Sequence, residues 1–187
     1  MMADVLRLYA AFTAALDREL ERLQALHGPA LTCRVGCTAC CQTDLSVGPV
    51  EATVLGNALA ALPAETQRRL QEGMRTRDAR DPACPLLLDQ RCATYAARPL
   101  ICRTQGFPLV WEEENELHEA HCPLNFTRHD GTAWEASACL RIDHVTARLA
   151  AADLLWMRAH NRPDTEAAER TPVRRLVLDL DPAGGVR

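Results

Sequence analysis

The chain has 187 residues, of which 48% are hydrophobic, so it is long enough and apolar enough to fold around a sizeable core. The basic residues are all arginine and are scattered, and a net charge of −4 gives no electrostatic footprint for nucleic acid. No segment approaches the roughly 18 uninterrupted apolar residues of a membrane span, and the first residues lack a signal-peptide pattern. We therefore expect a cytoplasmic protein that binds neither nucleic acid nor membrane. No feature of the sequence identifies a protein partner.

Three helices are predicted in the first half of the chain. Apolar residues recur with the 3.6-residue period over 3–26, and His27-Gly28-Pro29 ends that helix. Pro49 begins a second helix. Pro63 separates it from a third, more polar helix over 64–77.

The second half combines short strands with one long helix. Prolines and cysteines alternate with short apolar runs over 81–126, and turn residues at Asp89-Gln90 and Glu114-Asn115 predict two small hairpins. A last helix is expected over 135–160, and Leu176–Leu178 is a candidate edge strand. We predict a single domain over 1–163, followed by a tail over 164–187. Its class is α+β and predominantly helical, with helices packed around a cysteine-rich metal-binding core that includes short β-hairpins.

Cysteines are the main chemical feature of the sequence. Four of them lie within nine residues, at Cys33, Cys37, Cys40 and Cys41. Thiols stay reduced in the cytosol, so this density and the odd total of nine favour metal over disulfides. If 33–41 is helical, the four thiols share one face; because Gly36 weakens the helix, a knuckle-like turn is the alternative.

Further ligands are available in the proline-rich section. Cys84 and Cys92 flank the first predicted hairpin, so their side chains can meet. The predicted ligand set is Cys33, Cys37, Cys40, Cys41, Cys84, Cys92, Cys102 and Cys122. Eight thiols suffice for two four-coordinate sites, or for one iron–sulfur cluster and a zinc. The ninth, Cys139, is expected to be a buried apolar residue outside the set.

The motifs together resemble a known family. They are Cys33-x3-Cys37-x2-Cys40-Cys41, Cys84-Pro85-Leu86-Leu87, Cys92-Ala93-Thr94-Tyr95 and Arg98-Pro99-x2-Cys102-Arg103. This combination resembles the YkgJ-type cysteine-cluster family over residues 33–126. The resemblance implies a zinc- or iron-chelating domain. Flagellin N-methylases look like distant relatives of that family. This resemblance implies an iron–sulfur enzyme but no particular substrate.

Two functions follow as hypotheses. In the first, the protein binds zinc or iron, including iron in an iron–sulfur cluster, through the cysteines. In the second, it is an iron–sulfur or iron-dependent enzyme that acts on a protein or a small molecule. No Ser/His/Asp set, P-loop or dinucleotide fingerprint is present in the sequence. No catalytic residue is therefore assigned, and whether the protein is an enzyme stays open.

Overall fold

The computed structural model describes residues 2–78 and 80–181. Its α-helices are α1 (Met2–His27), α2 (Pro49–Ala60), α3 (Ala64–Thr76), α4 (Leu100–Thr104), α5 (Ile142–Ala159) and α6 (Val173–Leu178). Its strands are β1 (Ser46–Val47), β2 (Leu87–Leu88), β3 (Arg91–Cys92), β4 (Leu109–Glu113), β5 (Glu116–Ala120), β6 (Leu140–Arg141) and β7 (Thr171–Pro172). The predicted α+β, predominantly helical class is confirmed.

The chain divides into two compact units. The first comprises the residues up to Arg34 together with Leu100–Leu155. In this unit α1 buries a row of side chains at helical spacing, namely Val5, Tyr9, Leu16, Leu20 and Leu23. Arg103 of α4 donates two hydrogen bonds to the carboxylate of Asp17 in α1, at 2.6 and 2.8 Å. β4 pairs antiparallel with β5 and parallel with β6.

The second unit comprises Val35–Pro99 together with the residues from Trp156 onward. Its apolar core draws on several elements: Val47, Leu55, Leu59, Leu70, Leu86, Val173 and Val177. β1 pairs antiparallel with β7, which fixes the start of α6 beside α2 and α3. The buried amide of Gln67 donates to the carbonyls of Ala60 and Leu62 at 3.1 and 2.8 Å, so the carboxyl end of α2 is capped.

Both predicted hairpins are confirmed. β2 and β3 pair in the register Leu87 to Cys92, and β4 and β5 pair over their full length. Each hairpin turns through two residues with positive φ, Asp89-Gln90 and Glu114-Asn115. That pattern matches the type I′ turn, whose twist suits an antiparallel strand pair.

Two predictions about secondary structure are wrong. The last long helix begins at Ile142 rather than near 135, because Cys139 is extended and Leu140 pairs with Leu109 of β4. The edge strand expected at Leu176–Leu178 is the end of α6, which forms because Val173 and Val177, four residues apart, bury on one face. Residues 182–187 of the predicted tail lie outside the described residues. The single domain over 1–163 stays a prediction.

Among the described residues, no helix combines the length and the apolar character needed to cross a bilayer.

Candidate metal centre

The first cysteine run forms a turn. Gly36 has a φ of +90°, a left-handed conformation that a right-handed helix does not contain. A short 3-10 turn over Ala39–Cys41 follows, in which the Cys41 N–H donates to the Thr38 carbonyl at 2.9 Å. The helical arrangement considered for 33–41 is therefore wrong, and the turn is the alternative that the structure adopts.

All nine cysteines carry reduced thiols, and they are divided between the two units. The first unit holds Cys33, Cys102, Cys122 and Cys139, and the second holds Cys37, Cys40, Cys41, Cys84 and Cys92. Cys33, Cys37 and Cys40 are exposed residues, whereas the other predicted ligands are half-buried. All eight predicted ligands therefore retain some exposed surface.

Four thiols of the second unit, Cys40, Cys41, Cys84 and Cys92, lie close enough for their charges to interact; we call them the thiol quartet. Burial raises the pKa of the Cys41 thiol to about 12, and negative charge on Cys40, Cys84 and Cys92 adds to the effect. Burial also raises the pKa of Cys84; charge on Cys92 and Cys40 adds to this, while the Leu86 amide and the positive charge of Arg77 oppose it. Cys41 and Cys84 therefore favour the neutral thiol until a cation offsets the negative charge.

Backbone contacts bring the quartet together. The Cys84 N–H donates to the Cys41 carbonyl at 2.7 Å, which ties the first cysteine run to the chain just before the β2–β3 hairpin. Cys92 lies on β3 opposite Leu87. Cys84 and Cys92 both pack against the apolar core of the second unit. Besides burial, charge on Cys92 raises the pKa of Cys84, whereas a direct meeting of their side chains stays a prediction.

The quartet has the donor chemistry of a metal site, but it is not closed around one point. Among the residues that the structure describes, no three His, Cys, Asp or Glu side chains are placed to hold a single ion. Two charges interact over distances much longer than the roughly 2.3 Å of a zinc–sulfur bond, so the electrostatic interaction does not place the quartet sulfurs at ligand distance from one point. The side chains would therefore have to draw closer together on binding.

In the first unit an asparagine connects two of the predicted ligands. The side chain of Asn125 donates to the Cys33 sulfur at 3.4 Å, and its backbone N–H donates to the Cys122 carbonyl at 2.9 Å. The Phe126 N–H donates to the Ala30 carbonyl at 3.0 Å, so the segments around Cys33 and Cys122 run side by side. Cys102 lies in the short helix α4 of the same unit.

Asn125 is the residue that the sequence analysis missed. The only local signal is its place in Cys122-Pro-Leu-Asn125, where asparagine suits a turn. Its contact with Cys33 depends on tertiary structure, which spacing alone does not show.

Cys139 differs from the other cysteines. It is buried, with 6% of its surface exposed, and burial raises its pKa. Its sulfur contacts the carbonyl of Ala136 at 3.8 Å. The expectation of a buried cysteine is confirmed, although Cys139 precedes β6 and does not lie within the last helix.

Comparison with known proteins gives one result. Residues 32–140, more than half of the chain, match a family model named CxxCxxCC and described as "Putative zinc- or iron-chelating domain". No match was found among curated proteins or among solved structures. The matched region contains all eight predicted ligands and Asn125. The chain belongs to the CxxCxxCC family of zinc- or iron-chelating domains.

Proposed function

We propose that the protein chelates zinc or iron through cysteine thiolates, with the thiol quartet as a principal site. The proposed ligand set remains Cys33, Cys37, Cys40, Cys41, Cys84, Cys92, Cys102 and Cys122. The observation that carries the proposal is the hydrogen bond from the Cys84 N–H to the Cys41 carbonyl at 2.7 Å, which joins two cysteine-bearing segments whose thiols interact electrostatically.

Electrostatics favour a cation as the partner of this group. Four neighbouring thiolates repel one another, and burial adds to the free energy of charging Cys41 and Cys84. A divalent ion removes both penalties because it displaces the protons and compensates the negative charge. The positive charge of Arg77 likewise favours the charged form of Cys84, because it lowers the pKa of that thiol.

The donor type narrows the choice of metal. Thiolates are soft ligands that select zinc, iron in iron–sulfur clusters, or Cu(I), and they are poor ligands for magnesium and calcium. This preference agrees with the description of the family as zinc- or iron-chelating.

The pocket beside Cys84 leaves little room for an organic substrate. The pocket lined by its neighbours Ala83 and Pro85, together with Asp44 and Arg77, has a volume of about 50 Å³. Typical small-molecule sites measure roughly 300–1,000 Å³. The enzyme hypothesis gains no support from this pocket.

Anaerobic purification followed by metal and sulfide analysis and an absorption spectrum tests the proposal. We expect zinc or iron in a stoichiometric amount. Zinc in a colourless protein identifies a mononuclear thiolate site, and iron with equivalent sulfide and a broad visible band identifies a cluster. Removal of the metal with a chelator should lower the thermal midpoint, because binding free energy adds to folding free energy.

Two outcomes contradict the proposal. A protein that contains no zinc or iron and binds neither on titration would exclude the function. Metal that remains bound after all four quartet cysteines are replaced by serine would exclude the quartet as a site.

A further inference from the structure

Asn125 is buried to an unusual degree for an amide, with 1% of its surface exposed, and both of its side-chain polar atoms are fully engaged. Its Oδ1 accepts hydrogen bonds from the backbone N–H and the hydroxyl of Thr32, each at 2.9 Å. Its Nδ2 donates to the Gly106 carbonyl at 2.8 Å and to the Cys33 sulfur at 3.4 Å. Four partners fix this side chain in one orientation.

The chemistry of the partners determines which end of the amide faces the sulfur. The backbone N–H of Thr32 can only donate, so it requires Oδ1, and the carbonyl of Gly106 can only accept, so it requires Nδ2. The group directed at Cys33 is therefore an N–H donor. Such a donor binds a thiolate more strongly than a neutral thiol, because hydrogen bonds to charged acceptors are the stronger ones.

Gly106 keeps the sulfur against this donor. A Cβ atom at Gly106 would lie 2.8 Å from the Cys33 sulfur and 3.1 Å from Asn125 Nδ2, both closer than ordinary contact allows. The φ of Gly106 is +99°, which also favours glycine. The absence of a side chain at Gly106 thus leaves space for the Cys33 sulfur. We call this space, between Gly106 and Asn125, the Cys33 cradle.

We infer that Asn125 is a positioning residue for Cys33 as a metal ligand. Its side-chain N–H orients the Cys33 sulfur, one of the proposed metal ligands. Its backbone N–H holds the turn of Cys122, a second proposed ligand. The inference rests on the proposed function, and it adds a named residue that shapes a ligand without binding the ion. Partners of this kind typically change metal affinity by about 10- to 100-fold.

Cadmium with an NMR-active isotope is the probe, because it replaces zinc at thiolate sites and couples to nearby protons. In the loaded full-length protein, we expect a scalar coupling between cadmium and a side-chain amide proton of Asn125, transmitted through the Cys33 sulfur. Asn125→Asp keeps the size of the side chain and the acceptor for Thr32 but removes the donor. It should abolish the coupling and weaken cadmium binding about 10- to 100-fold.

Gln67→Glu is the matched control. Gln67 is also a buried amide whose nitrogen donates to two carbonyls, and neither of these bonds involves a cysteine. This variant should lower the thermal midpoint without weakening cadmium binding more than about 3-fold, well below the range expected of a group bonded to a ligand.

The outcomes separate the two proposals. Cadmium that binds the wild type without any coupling to Asn125 overturns the inference and leaves the proposed function intact. Equal weakening by Asn125→Asp and Gln67→Glu also overturns it, because the effect then reflects stability alone. A wild-type protein that binds no cadmium, zinc or iron refutes the proposed function and the inference with it. The coupling is measured in the wild type, so the inference is tested even if Asn125→Asp does not fold.

Discussion

The two units treat their cysteines in different ways. In the second unit, burial raises the pKa of Cys41 and Cys84, and negative charge on the other quartet thiols adds to the effect. In the first unit, Cys33 remains exposed and receives a hydrogen bond from a buried amide. A protein can thus prepare sulfur for a metal by grouping buried thiols that need a cation, or by fixing the position of an exposed sulfur with a hydrogen-bond donor.

Removal of one quartet thiol should have the largest effect. Cys84→Ser leaves a weaker oxygen donor in place of sulfur, and we expect binding at the quartet to fall by more than the roughly 100-fold seen for outer-shell partners. The measurement is metal stoichiometry after dialysis, with affinity from a competing chelator. Cys139→Ser is the control, since Cys139 lies outside the proposed set and should leave metal content unchanged. Equal loss in both variants would show that Cys139 is a ligand or that the loss is caused by unfolding.

A methyl group beside Cys33 should have an intermediate effect. Gly106→Ala introduces strain at a positive φ, about 1–2 kcal/mol, and also places a carbon 2.8 Å from the Cys33 sulfur. Gly131→Ala is the matched control, because Gly131 also has a positive φ but has nothing within 4 Å of the added carbon. We expect Gly131→Ala to lower the thermal midpoint by roughly 2–8 °C, with metal binding retained. Gly106→Ala should lower it further and weaken cadmium binding. Identical behaviour of the two variants would mean that the Cys33 cradle has no role.

The smallest expected effect concerns alkaline pH and Cys139. Burial raises the pKa of this thiol in the folded state above its ordinary value of 9.0. A raised pKa means that the stabilising contribution is complete below about pH 9 and is lost as the pH rises through the folded-state pKa. The free energy of unfolding of the wild type should therefore decline more steeply above pH 9 than that of Cys139→Ala. Parallel curves for the two proteins would show that Cys139 does not titrate differently on folding.

Local patterns predicted much of the fold. The apolar period of α1 and the turn residues Asp89-Gln90 gave the first helix and the first hairpin, because both depend on short-range geometry. α6 was missed because six residues are too few to show a helical period. Its two valines are buried only because they pack in the core of the second unit, which local sequence does not show. The start of α5 was misplaced because pairing of Leu140 with β4 overrides helix propensity.

The sequence allowed the candidate ligands to be named, but it did not show which of them lie near one another. Spacing identified Cys41, Cys84 and Cys92 as chemically suited to a metal, and the hairpin explained why two of them approach each other. It could not show that Cys33 lies beside Asn125, because that contact requires the segments near residues 30 and 126 to close on each other. The eight-residue ligand set stays a prediction.

The core of the second unit has a consequence for the order of synthesis. Val173 and Val177 complete the apolar cluster against which Cys84 and Cys92 pack. A nascent chain emerges from its amino terminus first, so the quartet is outside the ribosome well before α6 is made. We expect its thiols to lack the support of that core during the interval. We therefore expect Cys84 and Cys92 to reach their final packing only when the last helix has folded.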